Sequence, residues 1–179
     1  MIDYEQARQI ALDYIGPNCG LVGEAILEKP YGWYFADQSK AYLKSGDFRD
    51  MLFGSSGFIV EREDGRVFRF GSSYPSDVWL ANYERGFKYH FYNLHITSIF
   101  DVEETVSLLY KLDMRYVVPE FAYGEEWKIP QRYTKEQIRE AIQQLPGIFE
   151  NQAFWHRTDV LDAITTCGCC AYEVTESRR

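Results

Sequence analysis

The sequence predicts an α+β protein: an antiparallel sheet with an N-terminal helix packed on one face, followed by a second lobe in which strands and helices alternate. Three observations carry this. The chain opens on a capped segment with apolar residues at helical spacing, and several short strand-like runs crowd the stretch up to Gly71. From Tyr89 onward, aromatic and β-branched runs alternate with helical ones. The division falls near Phe87 and gives lobes 1–87 and 88–179, with no Gly/Ser/Pro-rich linker between them.

The elements follow in order. Asp3 and Gln6 form a capping box, Ala7, Ile10, Ala11, Tyr14 and Ile15 recur at helical spacing, and Gly16-Pro17 ends the helix. Strand-like runs follow at Leu21 to Leu27 and Trp33 to Asp37, separated by Pro30 and Gly32. Asp47 to Phe53 fits either a short strand or an irregular loop. The segment Gly57 to Gly71 reads as a β-hairpin, because two apolar-rich runs flank Glu63-Asp64-Gly65. A three-residue loop makes Arg62 face Arg66, Val60 face Phe68 and Phe58 face Phe70. That register collects Phe58, Val60, Phe68 and Phe70 on one face, and leaves Glu61 and Arg69 with Ile59 and Val67 on the other. A two-residue Asp64-Gly65 turn would mix Glu61 and Glu63 with Ile59, Phe68 and Phe70, so the three-residue loop is expected. Ser76 is placed to cap a helix from Asp77 to Arg85, closed by Gly86.

In the second lobe, Tyr89 to Ile99 predicts a strand. Asp101 with Glu104 opens a helix bearing Val102, Val106, Leu109 and Leu112. Strands are expected at Met114 to Val118 and Glu126 to Ile129, ended by Pro119 and Pro130. Thr134 with Gln137 caps a helix through Ile138, Ala141, Ile142 and Leu145. Phe154 to His156 predicts a short strand, Thr158 caps a helix through Ile164, and Cys170 to Val174 predicts the last strand, before a frayed polar tail from Thr175.

Composition narrows the function classes. With 46% hydrophobic and 26% charged residues, the profile is that of an ordinary globular protein. The start Ile2-Asp3-Tyr4-Glu5-Gln6 lacks the basic, then apolar, pattern of a signal peptide, and no apolar run approaches membrane length. A cytoplasmic location is expected, with no membrane partner. The net charge of −8 argues against a nucleic-acid binder and suits a basic protein partner. Aromatics at 17% fit either a ring-rich core or an interface.

No residue cluster names a chemistry, so no catalytic residue, cofactor or metal is expected. Cys167-Gly168-Cys169-Cys170 packs its thiols too tightly for a zinc site, whose ligand pairs are spaced and repeated. As a redox pair, Cys167 and Cys170 would follow a helix and lead into a strand, whereas reactive thiols sit at helix N-termini. Cys19 lies in a turn without a nucleophile-elbow pattern. His90 and His95 differ by an odd number within one expected strand and so face opposite sides. The acidic residues Asp101, Glu103 and Glu104 suit the positive end of a helix. The candidate partner-binding residues are therefore Glu120, Tyr123, Glu125, Glu126 and Trp127, carboxylates and rings on an expected loop between two strands.

The first half, from Met1 to about Phe87, resembles the immunity protein 35 (YrhB-type) family of bacterial polymorphic toxin systems. The likeness rests on the opening helix with Ala7 and Ala11, then Gly32-Trp33-Tyr34-Phe35 with Gln38-Ser39. It continues through Gly57-Phe58-Ile59-Val60, Asp64-Gly65, Gly71-Ser72-Ser73 and the helix bearing Trp79, Leu80 and Tyr83. That family commonly has a proline after the glycine that opens the hairpin; Phe58 stands there. The resemblance implies a non-enzymatic protein that binds and neutralises a cognate toxin domain. The competing expectations are a generic, chaperone-like binding module and a thiol-dependent enzyme using Cys19 or the Cys167/Cys170 pair.

Overall fold

Helix α1 (Tyr4–Ile15) forms as its caps dictate. The Asp3 carboxylate accepts from the Gln6 N–H while the Gln6 side chain accepts from the Asp3 N–H, and Gly16 ends the helix at φ +76°. After it come β1 (Cys19–Leu21), β2 (Leu27–Lys29), β3 (Gly32–Phe35), β4 (Asp37–Ser39), α2 (Lys40–Ser45), β5 (Ser55–Glu61), β6 (Val67–Gly71) and α3 (Ser76–Glu84). Strands β2-β3-β5-β6 form one antiparallel sheet in that order, and β1 pairs with β4. In the computed structural model, which describes residues 1–154 and 156–177, these elements make one unit, Met1–Lys88, and the rest make a second, Tyr89–Arg179.

The hairpin departs from its expected register. Phe58 pairs with Arg69, Ile59 with Phe68 and Val60 with Val67. The loop has four residues, Arg62 to Gly65: Glu61 N–H donates to Arg66 O at 2.8 Å and Gly65 N–H to Glu61 O at 3.0 Å. The one-residue slip splits the expected apolar face in two. Phe58 and Val60, with Trp33 and Phe35 of β3, pack against Ala7 and Ala11 of α1. Phe68 and Phe70 turn to the opposite face and meet α3, where Phe70 stacks on Trp79 with centroids 5.6 Å apart and Phe68 meets Tyr83 edge-on at 5.7 Å. Both faces are thus covered by a helix, so no polar face is required and Ile59 is buried as fully as Phe58.

Other differences are local. The run from Leu21 to Leu27 is interrupted by a tight helical turn at Gly23–Ala25. Helix α2 went unanticipated; Ser39 caps it by accepting from Tyr42 N–H, and Gly46 closes it left-handed. The stretch 47–53 is irregular, with a single 3-10 turn at Phe48–Asp50. Ser76 is the first residue of α3, preceded by Pro75, and no side chain caps that helix.

The second unit comprises β7 (Tyr92–Ile99), α4 (Val102–Lys111), β8 (Arg115–Ala122), β9 (Glu125–Arg132), α5 (Lys135–Ala141), β10 (Gly147–Gln152), α6 (Thr158–Cys167) and β11 (Cys170–Glu176). Its three-stranded antiparallel sheet has the order β10-β7-β11, and β8-β9 is a separate two-stranded ribbon. Leu94, Ile96, Leu109, Phe149, Phe154 and Ile164 are fully buried. The capping boxes read from the sequence are present at Thr134 in full and at Asp101 as its Glu104 N–H half.

Pro119 and Pro130 do not end their strands, since both lie inside the ribbon opposite Lys128 and Val117. In a ribbon of two strands each is an edge, where a missing N–H costs no ladder bond. The strand expected at Phe154 to His156 is displaced to β10; Phe154 and His156 lie outside the strands, and Trp155 is outside the described residues. Thr158 begins α6 instead of capping it, and α6 runs on to Cys167. Thr175 and Glu176 belong to β11 instead of a frayed tail, of which residues 178 and 179 lie outside the described ones.

Candidate functional site

The five residues singled out from the sequence all fall on the β8-β9 ribbon, but the loop between the strands is only two residues long. Tyr123 (φ +55°) and Gly124 (φ +82°) form a turn with both central residues left-handed, the type that matches the twist of a hairpin. Glu120 pairs with Trp127, Phe121 with Glu126 and Ala122 with Glu125. Because side chains alternate, Glu120, Glu125 and Trp127 share one face, with Ala122, while Phe121 and Glu126 share the other. The structure thus brings Glu120, Glu125 and Trp127 together, sets Tyr123 at the apex, and separates Glu126 from them.

Root and tip of the ribbon differ in how they are held. At the root, the Gln152 side chain donates to Arg115 O and accepts from Arg115 N–H, both at 2.8 Å, as a neighbouring strand would. Arg115 and Arg132 both pair with Asp113 at 3.0 Å, and the Arg132 guanidinium lies 3.9 Å from the centroid of the Tyr110 ring. Tyr133 packs between Tyr116, tilted against it with centroids 4.8 Å apart, and Phe149, edge-on at 5.3 Å. Burial raises the Tyr133 phenol above its ordinary pKa. Beyond this anchor the ribbon stands in solvent: Tyr123 is 101% exposed, Phe121 78% and Trp127 50%. The Trp127 indole N–H donates to Ala122 O at 3.3 Å, which lays its ring along the tip. Between the ribbon root and β10 lies a cleft of about 980 Å³, lined by Arg115, Val117, Lys128, Tyr133, Ile148 and Glu150 among others.

The thiols of the Cys167–Cys170 cluster are arranged against reactivity. Cys167 ends α6 and Gly168 caps it left-handed, so this thiol sits at the negative end of the helix. Its hydrogen bond with Cys169 raises its pKa, and burial lifts Cys170 to about 11. Cys169 is buried, and its carbonyl accepts from Phe100 N–H, Asp101 N–H and the Thr105 hydroxyl. His95 lies 3.1 Å from the Thr175 hydroxyl, and His90 is exposed just before β7 instead of within it. Burial lowers the pKa of His156. Among the described residues no group of three or more His, Cys, Asp or Glu could hold a metal ion.

Two features escaped the sequence reading. Glu61 is 5% exposed and receives hydrogen bonds from the Tyr83 hydroxyl and Lys88 ammonium, with Arg66 at 3.6 Å. Phe48 and Phe53 are 69% and 75% exposed and pack on each other in the 47–53 stretch. That stretch is tied down by Gln38, whose amide bonds both N–H and O of Leu52, and by Ser39, which donates to Asp50 O. No pattern in the sequence marks those two rings as exposed.

The fold is a small α+β protein whose β8-β9 ribbon carries exposed rings and carboxylates at its tip. Residues 20–86 match the family model of Immunity protein 35. The chain is also 32% identical over 53 residues to a protein of Escherichia coli (strain K12) described as "Uncharacterized protein YrhB", a stretch covering 30% of this chain and 56% of the relative. The chain therefore spans about half the length of the curated relative it matches. These two matches support the immunity protein 35 (YrhB-type) family for the N-terminal part of the chain, and the β8-β9 ribbon lies outside residues 20–86. No solved structure matches the chain.

Proposed function

We propose that this is a non-enzymatic bacterial immunity protein that acts in the cytoplasm by binding and neutralising a cognate toxin domain of a polymorphic toxin system. The match of residues 20–86 to the immunity protein 35 family carries the reading. The raised thiols of Cys167 and Cys170 count against that pair as a catalytic or redox centre, since thiolate is the reactive form. The docking element in this reading is the ribbon tip with Glu120, Tyr123, Glu125, Glu126 and Trp127, which offers rings and carboxylates to a basic protein surface.

Co-expression tests it. The protein restores growth to cells producing the C-terminal domain encoded by the adjacent gene, and the two co-purify. Growth arrest unrelieved by the protein, together with no co-purification, overturns the proposal. Equal affinity for unrelated unfolded proteins would instead support a chaperone-like module.

A further inference from the structure

The ribbon tip carries rings on both faces. A ribbon that lies flat on a partner collects its apolar side chains on the buried face and leaves polar ones on the wet face. Here Trp127 sits between Glu120 and Glu125 on one face, and Phe121 beside Glu126 on the other, with Tyr123 at the apex. Phe121 is more exposed than Trp127, at 78% against 50%. Single-faced docking would leave one of these rings in water.

The edges of the ribbon are unsuited to pairing with another strand. Pro119 interrupts the N–H row of β8 and Pro130 that of β9. Recognition therefore falls to side chains at the tip, not to strand addition by a second copy or a partner. The charge at the tip is mainly negative. Glu120, Glu125 and Glu126 are exposed and none is in an ion pair among the described residues, while the nearest cation along the ribbon is Lys128, opposite Pro119 on the face of Phe121 and Glu126. The arginines of the ribbon are at its root, held by Asp113.

We infer that the ribbon inserts tip-first into a slot of a basic partner protein. Trp127, Glu120 and Glu125 meet one wall, Phe121 and Glu126 meet the other, and Tyr123 reaches the floor. This deepens the toxin-binding reading and rests on it. The carboxylates neutralise Lys or Arg groups lining the slot, and the rings supply the apolar contact at its centre.

The test measures equilibrium affinity and association rate for the toxin domain encoded by the adjacent gene, using the whole protein. Trp127→Ala and Phe121→Ala each weaken binding about 10- to 100-fold. Glu120→Gln/Glu125→Gln and Glu126→Gln each slow association and reduce its salt dependence. Melting temperatures of the Phe121 and glutamate variants stay at the wild-type value, because those side chains are exposed. Loss from only one face overturns the slot in favour of flat docking. Tip variants that bind as wild type, while Phe48→Ala/Phe53→Ala does not, overturn it in favour of a surface in the first unit. A wild-type protein that forms no complex at all removes the toxin-binding reading and this inference with it.

Discussion

Glu61 occupies a position where the alternation of β5 calls for an apolar side chain, on the face shared by Ile59, Phe68 and Phe70. Burying a carboxylate is tolerated only when its charge and lone pairs are matched. Tyr83, Lys88 and Arg66 supply that match. The Glu61→Ala variant leaves the Tyr83 hydroxyl without its acceptor, while Lys88 and Arg66, both partly exposed, can turn to water. Its cost is therefore at the low end for a broken buried pair, about 3 kcal/mol in urea unfolding; an unchanged midpoint would show that Glu61 contributes nothing. Alkaline pH probes the same cluster. Burial, then the hydrogen bond to Glu61, raises the Tyr83 pKa above 10.0, and burial with the Glu84 hydrogen bond does the same for Tyr31. Below pH 10 both phenols are protonated in folded and unfolded chains, and their contribution is fully present. Above it the unfolded chain ionises first, so stability falls with rising pH until the folded phenols ionise too. Tyr83→Phe flattens this alkaline loss, read as the urea midpoint against pH.

At the scale of elements, what was legible in the sequence was whatever is local. The capping boxes at Asp3 and Thr134 place their helices because the bonds involved span three residues. The β5-β6 register was misread because it depends on α3 covering the second face, which no local pattern announces. With both faces buried, alternation no longer distinguishes one register from the next. The prolines of β8 and β9 misled for a related reason, since a proline ends a central strand but not the edge of a ribbon. Of the candidate site, residue types and neighbourhood were legible, but the separation of Glu126 from Glu120, Glu125 and Trp127 follows only from the two-residue turn. Gly124 holds that turn at φ +82° with open space around it. Gly124→Ala should cost about 1 kcal/mol, confined to the ribbon; faster amide exchange in β8 and β9, with the sheet β10-β7-β11 unchanged, is the expected readout. By contrast, a Cβ on Gly32 would lie 2.2 Å from Val60 O at the heart of the first sheet. Gly32→Ala should lower overall stability of that unit by about 2–3 kcal/mol, read by urea unfolding.

At the scale of the whole molecule, the chain divides into two compact units, and the first contains a core cluster of its own. Ala7, Ala11, Trp33, Phe35, Phe58 and Val60 lie within it, and so do Tyr83, Lys88 and Arg66, which meet Glu61. Lys88, the last residue of that unit, is one of them, although the family match ends two residues earlier at Gly86. The unit at 88 residues is long enough to bury a core without help from disulfides or metals. A fragment of residues 1–88 should therefore unfold in urea as a single cooperative transition. A fragment cut at Gly86 keeps the matched sequence but loses the Lys88 ammonium, so Glu61 retains its buried charge with one donor fewer. Its midpoint should fall below that of the longer fragment, and Glu61→Gln should narrow the gap by removing the charge that Lys88 balances. Equal midpoints would mean that Arg66 and water suffice for Glu61, and a broad, non-cooperative transition in the longer fragment would mean that the first unit is not an independent folding unit.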